Sequence, residues 1–327
     1  MTPLPAPITD FALPLVLLLA LLLDWRLGET RYFHPLVGFG KLGQLLEKRL
    51  NREHCQTAFT RLFGCIAWCL LVLPLPAIYF LLQSDSWLFV LLDCFVLYLA
   101  LGLNSLKAHA LNIYKPLTEN KREQARRALA MIVSRNTQAL DETQISRATV
   151  ESVLENGHDA VIASLFYYTV GGAPLVILHR LANTLDAMWG YKSERFIHFG
   201  WCAAKMDDLL GWPSAKASAL LYGLAGSKNL SCLKQAIKNA ASQSKNYKSL
   251  NGGWVMAAGA TTLGFRLGGN AEYHGKTIQS PTLGRGRKVN EQDIKASLKL
   301  VTKASMLLVV VLFMASLFIQ LLLAGLH

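Results

Sequence analysis

Uninterrupted apolar runs punctuate this chain, separated by polar stretches of very unequal length. Four runs stand out: "FALPLVLLLALLL" (Phe11 to Leu23), "LFGCIAWCLLVLPLPAIYFLL" (Leu62 to Leu82), "WLFVLLDCFVLYLALGL" (Trp87 to Leu103) and "LLVVVLFMASLFIQLLLAGL" (Leu307 to Leu326). Only the third carries a charge, Asp93. Each approaches the roughly 20 residues that cross a hydrocarbon core, the first by including the residues before it. The pattern predicts membrane spans at about 8–24, 62–82, 87–103 and 305–326. A fifth run, "AVIASLFYYTVGGAPLVILHRL" (Ala160 to Leu181), is long enough to span but is broken by Gly171, Gly172 and Pro174. Irregular backbone at membrane depth is tolerated only where protein or a water-filled cavity covers it. This segment is therefore expected to be a buried or re-entrant element.

Between Asn104 and Lys303 the apolar positions recur mostly with helical period. "TENKREQARRALAMIVSRNTQAL", capped near Thr118, "ISRATVESVLENGHDAV", "SAKASALLYGLAGS" and "NLSCLKQAIKNAASQSKNY" read as helices. Glycine-rich turns follow, and no segment has a convincing strand period. The expected fold is all-α: one polytopic membrane domain over 1–327, with about four transmembrane helices, a buried or re-entrant helical segment and a large cytoplasmic helical region at about 104–303.

Composition and charge sharpen this picture. Hydrophobic residues make up 52% and charged residues 17% of the 327, against about 25% charged in soluble domains. Of 33 Lys and Arg, seven fall between Asp24 and Arg61 (Arg26, Arg31, Lys41, Lys48, Arg49, Arg52 and Arg61), and the other 26 (33 minus 7) between Lys107 and Lys303. Basic loops stay inside, so both termini are expected outside a bacterial inner membrane, with the active region facing the cytoplasm. No Lys or Arg precedes Asp24, so the first run lacks the basic segment of a signal peptide. The net charge of +12 first reflects topology and attraction to anionic lipid, and second a phosphate-bearing substrate. No aromatic-interleaved basic stripe or recognition motif points to nucleic acid. The six cysteines, Cys55, Cys65, Cys69, Cys94, Cys202 and Cys232, lack metal-ligand spacing and read as reduced fillers.

Four constellations hold candidate chemistry. On one helix, Arg147, Glu151, Glu155 and Asp159 border an apolar face and run into a greasy segment. They form either an i,i+4 surface ladder or, because ionisable groups beside a membrane usually face an interior, a site. In "HRLANTLDAMWGY", Arg180, Asn183 and Asp186 stand three apart and share a helix face. In "KMDDLLGW", the adjacent Asp207 and Asp208 point in different directions. Either of these two groups is otherwise a cap or a surface pair. Carboxylates spread over one layer suit Mg²⁺, which takes one or two of them plus substrate phosphates. Finally, Arg266, Arg285, Arg287 and Lys288 lie among glycines, where backbone N–H groups and guanidiniums approach anions closely, or else form a solvated loop. Walker A, HExxH, G-x-S-x-G and dinucleotide motifs are absent from the sequence.

Taken together, "LLLDWRLGETRYFHPLVGFGKL", "SRNTQALDETQISRATVESVLENGHDAV", "HRLANTLDAMWGYKSERFIHFGWCAAKMDDLLGWPSAK" and "SLNGGWVMAAGATTLGFRLGGNAEYHG" resemble the CobD/CbiB family of membrane-associated adenosylcobinamide-phosphate synthases. The resemblance implies an ATP-dependent amide ligase joining adenosylcobyric acid to (R)-1-amino-2-propanol or its O-phosphate, with ATP and Mg²⁺ required and a corrinoid as substrate. It implies catalytic roles among Glu151, Glu155, Asp186, Asp207 and Asp208. Arg135, Arg147, Arg180, Asn183, Asn251 and Arg266 become substrate- and phosphate-binding candidates, and Glu151, Asp159 and Asp207 metal candidates. Membrane lipid, other membrane-bound corrinoid enzymes and further copies of the chain are the implied partners. Met256 stands where the family has a carboxylate, Gly211 where it has Asn, Asn136 where it has Asp, Ser164 where it has Pro, and Glu29-Thr30 where it has Asp-Pro. The rival reading is a non-enzymatic AmpE-like signalling homologue, a group that has lost most of the acidic motifs retained here.

Overall fold

The computed structural model describes residues 6–30, 34–51, 57–273 and 276–324. Arg31, Arg52, Cys55, the His274-Gly275 pair and the last residues of the C-terminal run lie outside them. In chain order the helices are α1 (Ala6–Leu27), α2 (Pro35–Leu50), α3 (Thr57–Val72), α4 (Pro74–Leu82), α5 (Trp87–Ala100), α6 (Leu103–Thr118), α7 (Arg122–Ala130), α8 (Glu142–Gly157), α9 (Ala163–Trp189), α10 (Trp201–Gly226), α11 (Leu230–Gln243), α12 (Leu250–Leu263) and α13 (Gln292–Ala324). A π-helical turn, His158–Ile162, joins α8 to α9.

Among the described residues, four helical stretches are long and apolar enough to cross a membrane: Thr57–Leu82, Trp87–Thr118, Glu142–Trp189 and Gln292–Leu322. The fold is that of an all-α, multi-pass membrane protein. Three of these stretches contain runs expected to span, and the N-terminal run folds as α1. The fourth contains the ambiguous segment. It is helical through most of its length, with backbone breaks at Gly171 (φ −160°, ψ 27°) and Gly172 (φ 66°, ψ −161°). Its most apolar window is 61% buried, against 11 to 28% in the other three. Protein covers most of that window, but not the break itself: Val170 is 61% exposed and Gly171 is exposed too.

One small sheet departs from the helical pattern. Strands β1 (Phe265–Tyr273), β2 (Lys276–Gly284) and β3 (Arg287–Lys288) lie in the order β2-β1-β3, with β1 antiparallel to β2 and parallel to β3. The register of β1 against β2 slips between Leu267 and Gly269. Gly268 (φ 85°) and Gly269 (φ 93°) occupy the left-handed region there, which only glycine enters freely. A Cβ on Gly268 would stand 2.1 Å from the Pro281 carbonyl oxygen. This glycine-built bulge breaks the period-2 signature, which is why the sequence does not announce a strand.

The chain divides into two compact units: 1–102 with 164–211 and 311–327, and 103–163 with 212–310. In the first, Trp68, Leu185, Trp189 and Phe199 form a core with Ala67, Ala182 and Ala203. Small residues let helices in apolar surroundings approach closely, and a Cβ on Gly64 would meet the Phe199 carbonyl oxygen at 2.0 Å. Asp93, the lone charge of its run, accepts from Tyr79 Oη at 2.6 Å and Tyr168 Oη at 2.8 Å, so its carboxylate is satisfied where water is scarce. Glu47 of α2 takes a two-point contact from Arg195, at 3.0 and 2.9 Å. Among the described residues the cysteines are free. Burial, with the Cys65 and Cys69 thiols alongside, pushes Cys202 up to about 12, so this thiol stays protonated.

The second unit packs Ile113, Leu129, Ile145, Leu154, Tyr222, Met256, Phe265 and Val301 into one core. Tyr222 donates to the Leu154 carbonyl oxygen at 3.0 Å. The backbone at Gly157 passes close by, and a Cβ there would meet Val301 Cγ2 at 2.6 Å.

Gly64→Ala is expected to lower stability by about 1–3 kcal/mol, the usual range for forced overpacking, read as an earlier thermal unfolding transition in detergent. An unchanged transition would mean that α3 does not press on the Phe199 backbone.

Candidate functional site

Polar groups collect in each unit. In the second unit the cluster is built on α8. The helix starts at Asp141, whose Oδ1 accepts from Gln144 N at 2.8 Å while Gln144 Oε1 accepts from Asp141 N at 2.8 Å, a capping box that sets where the first turn begins. Two and a half turns on, Glu151 is buried, 7% exposed. Arg135 Nη2 donates to its Oε2 at 2.7 Å, and the Gly268 backbone N–H donates to its Oε1 at 3.1 Å. Arg147 Nη1 donates to the Gly268 carbonyl oxygen at 2.5 Å. A Cβ on Gly269 would lie 2.8 Å from that same Nη1. The bulge of β1 therefore turns both polar groups of one peptide link toward the charges of α8, and the absence of a side chain at Gly269 leaves Arg147 room.

One turn further, Glu155 presses on α12. Its Oε1 lies 2.7 Å from where a Cβ on Gly252 would stand, and the Met256 methyl is 3.3 Å from that point. Its ionisable neighbours are Asp159, Lys248, Glu151 and His158. Asn251, buried beside Gly252 in the first turn of α12, follows the cap in which Ser249 Oγ accepts from Gly252 N at 3.1 Å. The π-helical turn widens the backbone after Gly157, a device common at functional positions. His158 is 1% exposed. Its Nδ1 lies 2.8 Å from Asp159 Oδ1 and its Nε2 3.0 Å from Ser214 Oγ. Asp159 remains 30% exposed at its side chain, so a buried imidazole steadies a partly exposed carboxylate.

In the first unit, Arg180 Nη1 lies 3.5 Å from Asn183 Oδ1, and Asn183 Nδ2 donates to Asp207 Oδ1 at 3.2 Å. This links the α9 face read from the sequence to one of the paired acids of α10. Asp186 closes the end of α9: its carbonyl oxygen accepts from Gly190 N at 2.7 Å, and a Cβ on Gly190 would meet its Oδ1 at 1.9 Å. Asp208 is exposed on α10.

The structure thus gathers Arg135, Arg147, Glu151, Glu155 and Asp159 with the start of α12 in the second unit, and Arg180, Asn183 and Asp207 in the first. It places Arg266 exposed on β1, paired in register with Gly284, while Gly268 two residues on supplies the polar contacts. Lys248, Gly252 and the Gly268-Gly269 backbone are the residues that sequence reasoning passes over. Gly252 lies in "LNGGWVMAAG" and Gly268-Gly269 in "FRLGGN"; both glycine runs read as turns in the sequence, whereas the structure makes them the first turn of α12 and the bulge of β1. Among the described residues no three His, Cys, Asp or Glu side chains gather as a ready metal-binding set. The neighbouring carboxylates of Glu155 and Asp159 do match the need of Mg²⁺, which draws its remaining ligands from water and phosphate.

Glu151→Ala, which strands the largely buried Arg135 guanidinium, is expected to destabilise the protein by about 3–5 kcal/mol, and Glu151→Gln by clearly less, both read by thermal unfolding in detergent. Equal melting of Glu151→Ala and the parent would remove the Arg135–Glu151 pair from the core of this cluster.

The family model described as "CobD/Cbib protein" matches residues 17–301. Among curated relatives, the chain is 47% identical over 282 residues to "Cobalamin biosynthesis protein CobD" of Stutzerimonas stutzeri, covering 86% of this chain and 91% of that protein. It is 44% identical to the protein of the same name from Chromobacterium violaceum, over 88% and 92% of the two chains. The Halalkalibacterium halodurans protein, also so named, is 36% identical over 92% and 95%. No solved structure matches the chain. With a family model across most of its length and relatives this similar over nearly their whole chains, the protein belongs to the CobD/CbiB family.

Proposed function

We propose that the chain acts in cobalamin biosynthesis as an ATP-dependent amide ligase, joining the carboxylate of adenosylcobyric acid to (R)-1-amino-2-propanol or its O-phosphate. Membership of the family and the names of its relatives support the pathway. The observation that carries the chemistry is the cluster on α8. There two guanidiniums, a backbone N–H and Lys248 converge with carboxylates at the edge of an apolar segment. Charge of both signs held at one place suits a reaction that brings an anionic phosphate, an anionic carboxylate and a cationic amine together.

In the proposed reaction a substrate carboxylate oxygen attacks the γ-phosphorus of ATP and ADP leaves, giving an acyl phosphate. The amine then attacks the acyl carbon, and phosphate leaves with the amide formed. Such a sequence needs no nucleophilic side chain. Arg147 and Lys248 bind phosphate oxygens, and Arg135 holds Glu151 so that the Gly268 backbone stays turned to the site. Glu155 and Asp159 would hold Mg²⁺, whose bound charge offsets that of the phosphates. Within the first unit, the Arg180–Asn183–Asp207 chain offers a guanidinium and a carboxylate of the kind that suits a phosphate or an amine. The basic bias between Lys107 and Lys303 supports a bacterial inner-membrane location with this region in the cytoplasm and both termini outside.

The direct test incubates purified protein with adenosylcobyric acid, ATP, Mg²⁺ and each candidate amine, and reads the product by mass. The expected result is a corrinoid heavier by the amine less water, dependent on ATP. Glu155→Gln and Asp207→Asn are expected to lower turnover at least about tenfold, in the range of removing one charged catalytic partner, with melting temperatures near the parent's. No product with any amine would overturn the ligase reading and favour a non-catalytic role.

A further inference from the structure

The second-unit part of α10 carries a feature that the proposed reaction does not use. Trp212, Lys216, Leu220 and Leu224 follow at intervals of four along one helical stripe. Trp212 is 50%, Leu220 47% and Leu224 49% exposed, so three large apolar side chains share an open helix face, the kind of patch that marks a contact surface. Lys216 Nζ does not reach out to water from this stripe. It lies 2.9 Å above the Trp212 ring and 5.5 Å from the Trp254 ring. It is buried, with no hydrogen-bond partner among the described residues. The stripe lies off the side of α10 that meets the carboxylate cluster. Ser214, which meets His158, precedes Lys216 by two residues and so points to the other side of α10, about 200° away.

An ammonium between two indole rings gains cation–π attraction but leaves three N–H donors without an acceptor, which is costly in low dielectric. Burial accordingly lowers the Lys216 pKa. The arrangement calls for an anion. It calls for a particular kind, because the same stripe offers leucines above and below and an indole at the boundary. A soluble oxyanion would satisfy the ammonium alone and leave the leucines in water. An amphiphile with a phosphate head and acyl chains satisfies all of them: the head meets Lys216, the chains cover Leu220 and Leu224, and Trp212 takes the interfacial position that its amphipathic ring favours.

We infer that the Trp212–Lys216–Leu220–Leu224 face of α10 is a lipid-contacting surface on which Lys216 binds the phosphate of an anionic phospholipid. The surface belongs to the unit that carries the carboxylate cluster, and it does not depend on the ligase reading.

The test uses the full-length chain. In detergent, phosphatidylglycerol is titrated in and bound lipid is counted by native mass spectrometry. Lys216→Met is expected to weaken binding about fivefold, the change that follows from about 1 kcal/mol per cation near a membrane surface, and Lys216→Arg to retain it. In nanodiscs containing phosphatidylglycerol with brominated acyl chains, indole emission is quenched, and Trp212→Phe is expected to remove part of that quenching. Glycerol phosphate, the headgroup chemistry without chains, is expected to bind with no dependence on Lys216. Unchanged lipid affinity in Lys216→Met would overturn the proposal. Lys216-dependent binding of glycerol phosphate would make this a soluble-oxyanion site instead. Quenching unaltered by Trp212→Phe would mean that protein, such as a second copy of the chain, covers the stripe.

Discussion

A carboxylate enclosed by protein has to be neutralised where it stands, and Glu151 imposes that demand on its whole unit. Both of its oxygens are occupied, one by the Arg135 guanidinium and one by the Gly268 backbone N–H. Those partners come from the loop after α7 and from the middle of β1, 16 and 117 residues away in sequence. Meeting the demand therefore fixes the position of the loop, the bulge and the helix together. Losing one partner leaves the other buried and unpaired, so the contacts of the cluster hold one another in place.

The same economy of buried polar groups explains features that look unrelated. Asp93 is tolerated in an apolar run because two phenols donate to it. His158 is tolerated in the core because Asp159 and Ser214 take its two ring nitrogens. Gly252 is small because the Glu155 carboxylate needs the space. Met256 is fully buried near that carboxylate. An uncharged thioether there adds no further like charge to a group that already holds Glu151, Glu155 and Asp159. In each case the sequence places an expensive residue, and the fold supplies the contact that makes it affordable.

The two units handle their surfaces differently. In the first, large apolar side chains stand exposed along α3, α4 and α5, among them Leu70, Phe80, Leu81 and Leu91, as helices facing lipid require. In the second, exposed apolar residues gather on α10 around one buried ammonium. A wholly greasy face belongs in hydrocarbon, whereas a face that mixes indole, leucine and lysine belongs at its edge.

The amino-acid sequence alone determined the membrane class, three of the long apolar helices and the family, because hydrophobic run length and motif order are one-dimensional properties. It also marked Arg147, Glu151, Glu155 and Asp159 as a related set, since helical spacing puts them on neighbouring faces. It could not decide between a solvated ladder and an enclosed cluster, because Glu151's partners lie far along the chain. It missed the small sheet, whose glycines erase the alternation that marks a strand, and it singled out Arg266 where the Gly268 peptide makes the contact. Only the tertiary structure decided those points. A backbone N–H carries no residue-specific signal, and the direction in which a bulge aims it depends on the packing of strands and helices that are distant in sequence.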